Sequence, residues 1–298
     1  MERKLTNKTN LPDTFCRAID ERERRYSKGD ADYSCTGLLK PVRIHHLSKR
    51  YFREIVEDYS GKLDSWIGSL MHAALALHEG SEVVFERLYA SLIGKRLSGE
   101  TDHYNKDTRK IQDYKYTGVY SYTSGSNDED YEAQLNTYAY FHLVNGYKVE
   151  SLEIIFFFKD WKKFESLRNP DYPQFKVLTK SFPLWSIPEM ESYLKDQIMK
   201  LETTETLKDE DLPLCTPAER WESKVKYPVT KVGNKKATKS FDTQDLAFDF
   251  VDQMKISKPK EVFEVKKVGG EPKRCMSYCS VAKFCDFGKQ FVKEDEEE

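Results

Sequence analysis

No stretch of this chain is apolar for long. Runs such as Ile154–Phe158 stop at five residues, far short of the roughly 20 that cross a bilayer as a helix. The polar opening Met1–Asn10 lacks the apolar segment a secretory signal needs. These absences predict a cytoplasmic protein with no membrane partner. Strong charge of one sign is lacking too: 48 Lys and Arg stand against 50 Asp and Glu, for a formal net charge of −2. Contact with a polyanion would therefore rest on a local patch. There is no internal repeat, and the C-x2-C pairs of a zinc ribbon are missing. With six cysteines in an intracellular chain, structural disulfides are not expected, and the thiols are free or ligate a metal.

What is present suits a water-soluble globule. Hydrophobic residues make up 39% of the 298, aromatics 13% and charged residues 33%. That length holds one large α/β domain, or a core with a small satellite. Residues 11–28 read as a charged helix. Pro41 interrupts 33–60, with a second helical stretch from about Leu47. Residues 64–80 read as a helix whose Gly68, Ala73, Ala74 and Ala76 allow close packing and whose stop is Gly80. A strand through 82–102, a polar turn at 103–108 and a returning strand at 109–117 make a β-hairpin. After a loop at 119–130 come an amphipathic helix at 129–145, an apolar central strand at 148–159, a helix at 187–201 and an acidic linker at 202–211. From Cys215 the texture changes to a Lys-rich, strand-like 224–240, a capped helix at 243–254 and a strand at 261–268. The expected division is an N-terminal helical segment 1–62, a core 63–210, a satellite 211–290 and a disordered acidic tail 291–298.

The chemistry is concentrated in Gly99-Glu100-Thr101-Asp102 and Asp113-Tyr114-Lys115. Asp113 and Lys115 are i and i+2 on a strand, so they share a face. Asp102 ends the strand that pairs beside them. Directly opposed residues bring Cβ atoms to about 4.5–5.5 Å, so two carboxylates can share one cation. A hard divalent ion there would polarise a phosphoryl oxygen and acidify water, and the ammonium would offset charge in the transition state. Gly99 suits a close approach of another backbone or a phosphate. The bland alternative is a surface hairpin with a charge pair, since D-x-K alone is common.

The surroundings weigh against that alternative. His72 follows Gly68 at G-x-x-x-H on a helix, and Gln134 and Tyr138 are i and i+4 on another. The order G-x-x-x-H, G-x-x-D, D-x-K, Q-x-x-x-Y resembles the RecB-type branch of the PD-(D/E)XK nuclease superfamily, which includes CRISPR-associated and phage exonucleases. The likeness spans roughly residues 33–160 plus the C-terminal cysteines. It implies a restriction-endonuclease-like core, a central mixed sheet flanked by helices. His72, Asp102, Asp113 and the Tyr114 carbonyl would be ligands for Mg²⁺ or Mn²⁺, and the imidazole favours Mn²⁺. Lys115 would be the catalytic lysine, with Gln134 and Tyr138 contacting substrate or bracing the site. Glu86 would be an outer acid. Asp102 has no preceding proline, the form usual in this branch. His103 reads as a solvated loop residue.

Cys275-x3-Cys279-x5-Cys285 is similar to the C-terminal trio of the iron–sulfur members of the same branch, which implies a [4Fe–4S] cluster. Those relatives place a further cysteine near where this chain has Lys40-Pro41. Cys215 is the expected fourth ligand instead, Cys35 a weaker choice. Zn²⁺ and free buried thiols are the alternatives; Cys16 reads as a core residue. Residues 220–274 carry 14 Lys and Arg against 8 Asp and Glu, with Trp221, Tyr227 and Phe241 among them. That composition suits single-stranded DNA, or simply a solvated lysine face. The resulting expectation is a metal-dependent deoxyribonuclease. It would be an exonuclease of recombination, repair or phage DNA metabolism, acting on a free end or single strand, with recombination or replication proteins or a second copy as partners. The rivals are an endonuclease and a non-catalytic DNA-binding subunit.

Overall fold

The computed structural model describes residues 4–25, 27–78, 80, 83 and 87–292. Glu86 and the acidic run 294–298 lie outside the described residues. The chain is mixed α/β and divides into two compact units, Met1–Leu212 and Pro213–Glu298. Among the described residues no helix is long and apolar enough to cross a membrane.

The first unit opens with β1 (Lys4–Thr6), α1 (Asp13–Arg25), β2 (Tyr33–Ser34), α2 (Cys35–Leu38), α3 (Val42–Arg50) and β3 (Val56–Asp58). α4 (Leu63–Ala76), β4 (Leu88–Leu92), β5 (Lys95–Gly99), β6 (His103–Asn105) and β7 (Lys110–Thr117) follow. α5 (Val119–Thr123), α6 (Asp128–Val144), β8 (Ser151–Phe158), α7 (Lys163–Arg168), β9 (Val177–Phe182) and α8 (Ile187–Thr204) complete it. One sheet runs β6-β7-β8-β9 and another β2-β5-β4. β7 and β8 are parallel, from Lys110 opposite Ser151 to Thr117 opposite Phe158. A parallel pair requires a crossover, and α5 and α6 supply it.

The sequence reading of one long strand at 82–102 resolves into two strands. β4 and β5 form their own hairpin, turning at Ile93 and Gly94, both at positive φ (43° and 75°). The expected turn at 103–108 is shorter, because β6 pairs with β7 from His103 opposite Gln112. Asp102 falls one step beyond that ladder, in line with Asp113.

α6 differs from its expected amphipathic form. Ala133 and every residue from Leu135 to His142 are buried, because sheet strands lie on one side and α8 on the other; a helix covered all round shows no polar stripe. Its buried Asn136 donates to the Pro183 carbonyl and accepts from Trp185 N at 2.8 Å, which fixes the approach to α8. β8 is central, as its apolar run predicts. Leu152, Ile154, Phe156 and Phe158 are fully buried on one face. Cys16 is half-buried rather than core. α3 starts directly after Pro41, earlier than the expected Leu47; proline is well tolerated at a helix start. Residues 202–211 are not a free linker. Glu202 pairs with Lys95, Glu205 with Lys49 and Asp209 with Arg50.

The second unit contains β10 (Tyr227–Lys231), β11 (Lys239–Phe241), α9 (Gln244–Ser257), β12 (Phe263–Val265) and α10 (Lys273–Ser277). Its antiparallel sheet runs β11-β10-β12, and Val229, Ala247 and Val251 form a small core beneath it.

Candidate active site

β7 organises the site. Its two-residue period puts Asp113 and Lys115 on one face with Ile111, and that face meets α6. Lys115 Nζ lies 2.7 Å from Asp113 Oδ2 and donates to Gln134 Oε1 at 3.1 Å. The Gln134 amide donates to Asp113 Oδ1 at 3.3 Å and to the Tyr138 hydroxyl at 3.2 Å. One turn of α6 separates Gln134 from Tyr138, so a single helical face carries both.

The edge of β7 meets the other two residues. His72, on α4, places Nε2 3.0 Å from the Tyr114 carbonyl oxygen and Nδ1 3.1 Å from Asp102 Oδ1. Asp102 Oδ2 accepts from Tyr114 N at 2.9 Å. Asp102 thus ties the helix to the strand. The imidazole faces an acceptor at each nitrogen, which favours its doubly protonated form. Burial alone would lower the His72 pKa, but Asp102, the Tyr114 carbonyl and Asp113 together outweigh it and the net direction is up.

Asp113 is only 3% exposed. Its carboxyl is pushed up to about 6, raised by burial first and by Asp102, against the opposing pull of Lys115. Lys115 shows the opposite balance. Burial favours its neutral form, yet the Asp113 pairing keeps its pKa above the usual value. Tyr138 is held well above its ordinary value, first by burial.

The structure thus brings His72, Asp102, Asp113, Lys115, Gln134 and Tyr138 together. It also adds Tyr131, which motif reading missed, and gives a place to Cys35, which the sequence offered as a weaker cluster ligand. The Tyr131 ring lies 5.6 Å from Lys115 Nζ, one helical turn before Gln134, so the same periodicity could have found it. Cys35 is buried in the first unit's core beside Tyr138, where it serves packing; no local signal announces that. His103 is half-buried on β6, its ring 6.3 Å from that of Tyr114, rather than solvated in a loop. A Cβ at Gly99 would lie 2.4 Å from the Phe141 ring. The close approach at Gly99 is therefore to aromatic side chains of α6.

Hard oxygen donors with one imidazole suit Mg²⁺ or Mn²⁺. Asp113 Oδ2 is buried and its near neighbour is the Lys115 ammonium at 2.7 Å, so a metal ion there would have to share that oxygen with Lys115. The 3.0 Å between His72 Nε2 and the Tyr114 oxygen is a hydrogen bond, so metal ligation by both groups would require the imidazole to give up its Nε2 proton. Both Asp102 oxygens, too, already accept hydrogen bonds. Among the described residues no group of three or more His, Cys, Asp or Glu is arranged to hold a metal ion.

In the second unit none of Cys215, Cys275, Cys279 and Cys285 is in a disulfide. Burial, then Glu219 and the neighbouring Cys279 thiol, push Cys215 up to about 12; Cys275 is raised by burial and by Cys279 and Cys285. These thiols are near enough to feel one another's charge. Backbone bonds already join their segments: Ser223 N donates to Glu271 O at 3.1 Å, and Arg274 N to Arg220 O at 3.0 Å. Several lysines of this unit are engaged, Lys231 with Glu261 and Lys266 with Glu264 at 2.8 Å. Tyr227 and Phe241 pack against the small core, leaving Trp221 as the more exposed ring of the expected platform.

No family model and no curated protein matches the chain. Among solved structures it is similar to a protein described as SSO0001. The identity is 13% and the TM-score 0.43, over 62% of this chain and 83% of that one.

Proposed function

We propose that the first unit is a divalent-metal-dependent DNA nuclease of the PD-(D/E)XK type, RecB-like branch, with a restriction-endonuclease-like core. The observation that carries this reading is the buried Asp113–Lys115–Gln134 cluster, with the Asp102–His72 pair tied to the same strand through Tyr114. The strand pairing supports it: β5 pairs with β4, and β7 carries the D-x-K run between β6 and a parallel β8 reached through α6.

In the proposed reaction a water oxygen bonds to phosphorus while the bond to the leaving oxygen breaks. Charge grows on the non-bridging oxygens. The Lys115 ammonium, kept charged by Asp113 and aimed by Gln134, stands ready to offset it without reorganising. Tyr138 holds Gln134 in place. Asp113, His72, the Tyr114 carbonyl and Asp102 would hold Mg²⁺ or Mn²⁺, which supplies electrophilic assistance and acidifies water. Asp102 orients the imidazole through Nδ1. Cys215, Cys275, Cys279 and Cys285 would hold a [4Fe–4S] cluster, or Zn²⁺, as a brace for the second unit.

The test compares wild type with Lys115→Ala on end-labelled linear DNA and on closed circular DNA, with Mg²⁺, Mn²⁺ or EDTA. Cleavage of linear DNA from its ends with either metal, lowered about 10²–10³-fold in the variant, is expected. A variant that cuts as fast as wild type, or a wild type inert under every condition, ends the reading. Cutting of the closed circle replaces the exonuclease with an endonuclease. Four irons per chain in freshly isolated protein support the cluster, and stoichiometric zinc overturns it.

A further inference from the structure

The helix that presents His72 is only partly covered by the fold around it. Of the 14 residues of α4 only Asp64 and His72 are ionisable, yet none is buried. A helix this apolar ordinarily lies inside a core. Here α1 covers one flank. The rings of Phe15 and Trp66 meet edge to face at 5.5 Å, and Arg22 Nε donates to Ser69 Oγ at 2.7 Å. β7 covers another flank, where His72 meets the Tyr114 carbonyl. The remaining face is open. Leu70 is 49% exposed and Leu77, which caps the helix, 83%; Ile67, Ala73 and Ala74 are exposed beside them.

Ile67, Leu70, Ala74 and Leu77 follow the three-then-four spacing that brings two helices together along one seam. At about 100° per residue they occupy one narrow stripe, and His72 falls on the opposite side of the helix. The stripe reads the same in both directions about residue 72. An antiparallel pair of α4 helices across a two-fold axis therefore sets Leu70 of one copy against Ala74 of the other, large against small, and Ile67 against Leu77. A parallel pair would set Ala74 against Ala74 and leave a void. The charges agree with the antiparallel arrangement. Asp64 flanks one end of the stripe and His78 the other, so each carboxylate comes to an imidazole N–H of the second copy. Asp64 already binds Lys159 of its own chain, but a carboxylate accepts from several donors. The opposed helix dipoles attract as well. A helix that lies on a membrane carries lysines and arginines along its polar face, and α4 has none.

We propose that the open face of α4 is covered by the α4 of a second copy of this chain, packed antiparallel across a two-fold axis. The pairing buries the stripe and stiffens the helix behind His72, and it leaves the bonds of His72 to Tyr114 and Asp102 untouched. The inference stands apart from the nuclease reading, because association is measured with no substrate present.

The experiment is sedimentation equilibrium of the full chain over an about hundredfold range of micromolar concentration. Wild type is expected to pass from monomer to dimer. Leu70→Glu should weaken the dimer by at least about tenfold, since its carboxylate would be buried against a methyl group, and Ala74→Lys should act alike. Leu70→Glu/Ala74→Lys should recover most of the loss, because the two new charges meet across an antiparallel seam, whereas in a parallel pair each meets its like. These positions are exposed, so circular dichroism and Tm at the lowest concentration should match wild type; if Leu70→Glu does not fold, Leu77→Glu takes its place. A wild type that is monomeric throughout overturns the proposal, as does a folded Leu70→Glu chain that dimerises like wild type. A double variant no better than the single ones overturns the antiparallel arrangement. Wild type that stays monomeric but floats with phosphatidylglycerol vesicles, while Leu70→Glu does not, gives the stripe to a lipid surface instead.

Discussion

At the residue scale the site depends on contacts whose cause is not local. Gly99 is the clearest. A methyl group there meets Phe141 at 2.4 Å and Tyr138 at 3.2 Å, so Gly99→Ala should cost about 1–3 kcal/mol by overpacking, measurable by urea unfolding. A variant as stable as wild type would show that the rings move aside freely. Asp58 offers a test in pH. It accepts from Thr6 Oγ1 at 2.9 Å, Lys8 N at 2.8 Å and Ser60 Oγ at 2.6 Å. The Ser60 hydroxyl, then the Lys8 amide, hold its carboxyl well below the usual range, against a smaller opposing effect of burial. A depressed folded pKa gives stability that is present above the unfolded value, about 3.9, and is lost as pH falls through the folded one. The gap in Tm between wild type and Asp58→Asn should therefore be widest at neutral pH and close as pH drops below about 4. A gap that widens in acid contradicts this account.

At the element scale, what was readable followed a period. The shared face of Asp113 and Lys115 follows from strand alternation, and that of Gln134 and Tyr138 from the helical turn. The break of 82–102 into two strands was missed because Ile93 is a poor turn residue. A β-branched side chain at a φ of 43° is strained, and Ile93-Gly94 does not look like the Asn-Gly of a tight hairpin. Ile93→Asn should accordingly raise stability by about 1 kcal/mol, since Asn tolerates that backbone and Ile93 is half-exposed. A loss of stability would mean that the exposed isoleucine packs usefully. The helix α6 was found in place but not in character, because burial on both sides comes from elements distant in sequence.

At the scale of the whole molecule the chain comprises two units of unequal core. The first has an extended cluster built on α6 and β8. Among the described residues, the core beneath the second unit's sheet is Val229, Ala247 and Val251, with Tyr227, Phe241, Phe250, Phe263 and Val265 partly buried against it, and cores of small units supply only a few kcal/mol. Calorimetry should show two transitions, the lower belonging to the second unit. Cys279→Ser should lower that one by about 4–8 °C for each kcal/mol lost and leave the upper in place. A single transition that shifts as a whole would refute separate units. The order of the motifs and the faces that Asp113, Lys115, Gln134 and Tyr138 present were set by the chain alone, because residues two or four apart are related by covalent geometry. The meeting of His72 with Asp102, the burial of Asp113 against Lys115 and the closeness of α6 to Gly99 were decided by tertiary packing. Those partners lie tens of residues apart, and only the collapse of apolar surface between them sets which polar groups are left facing one another.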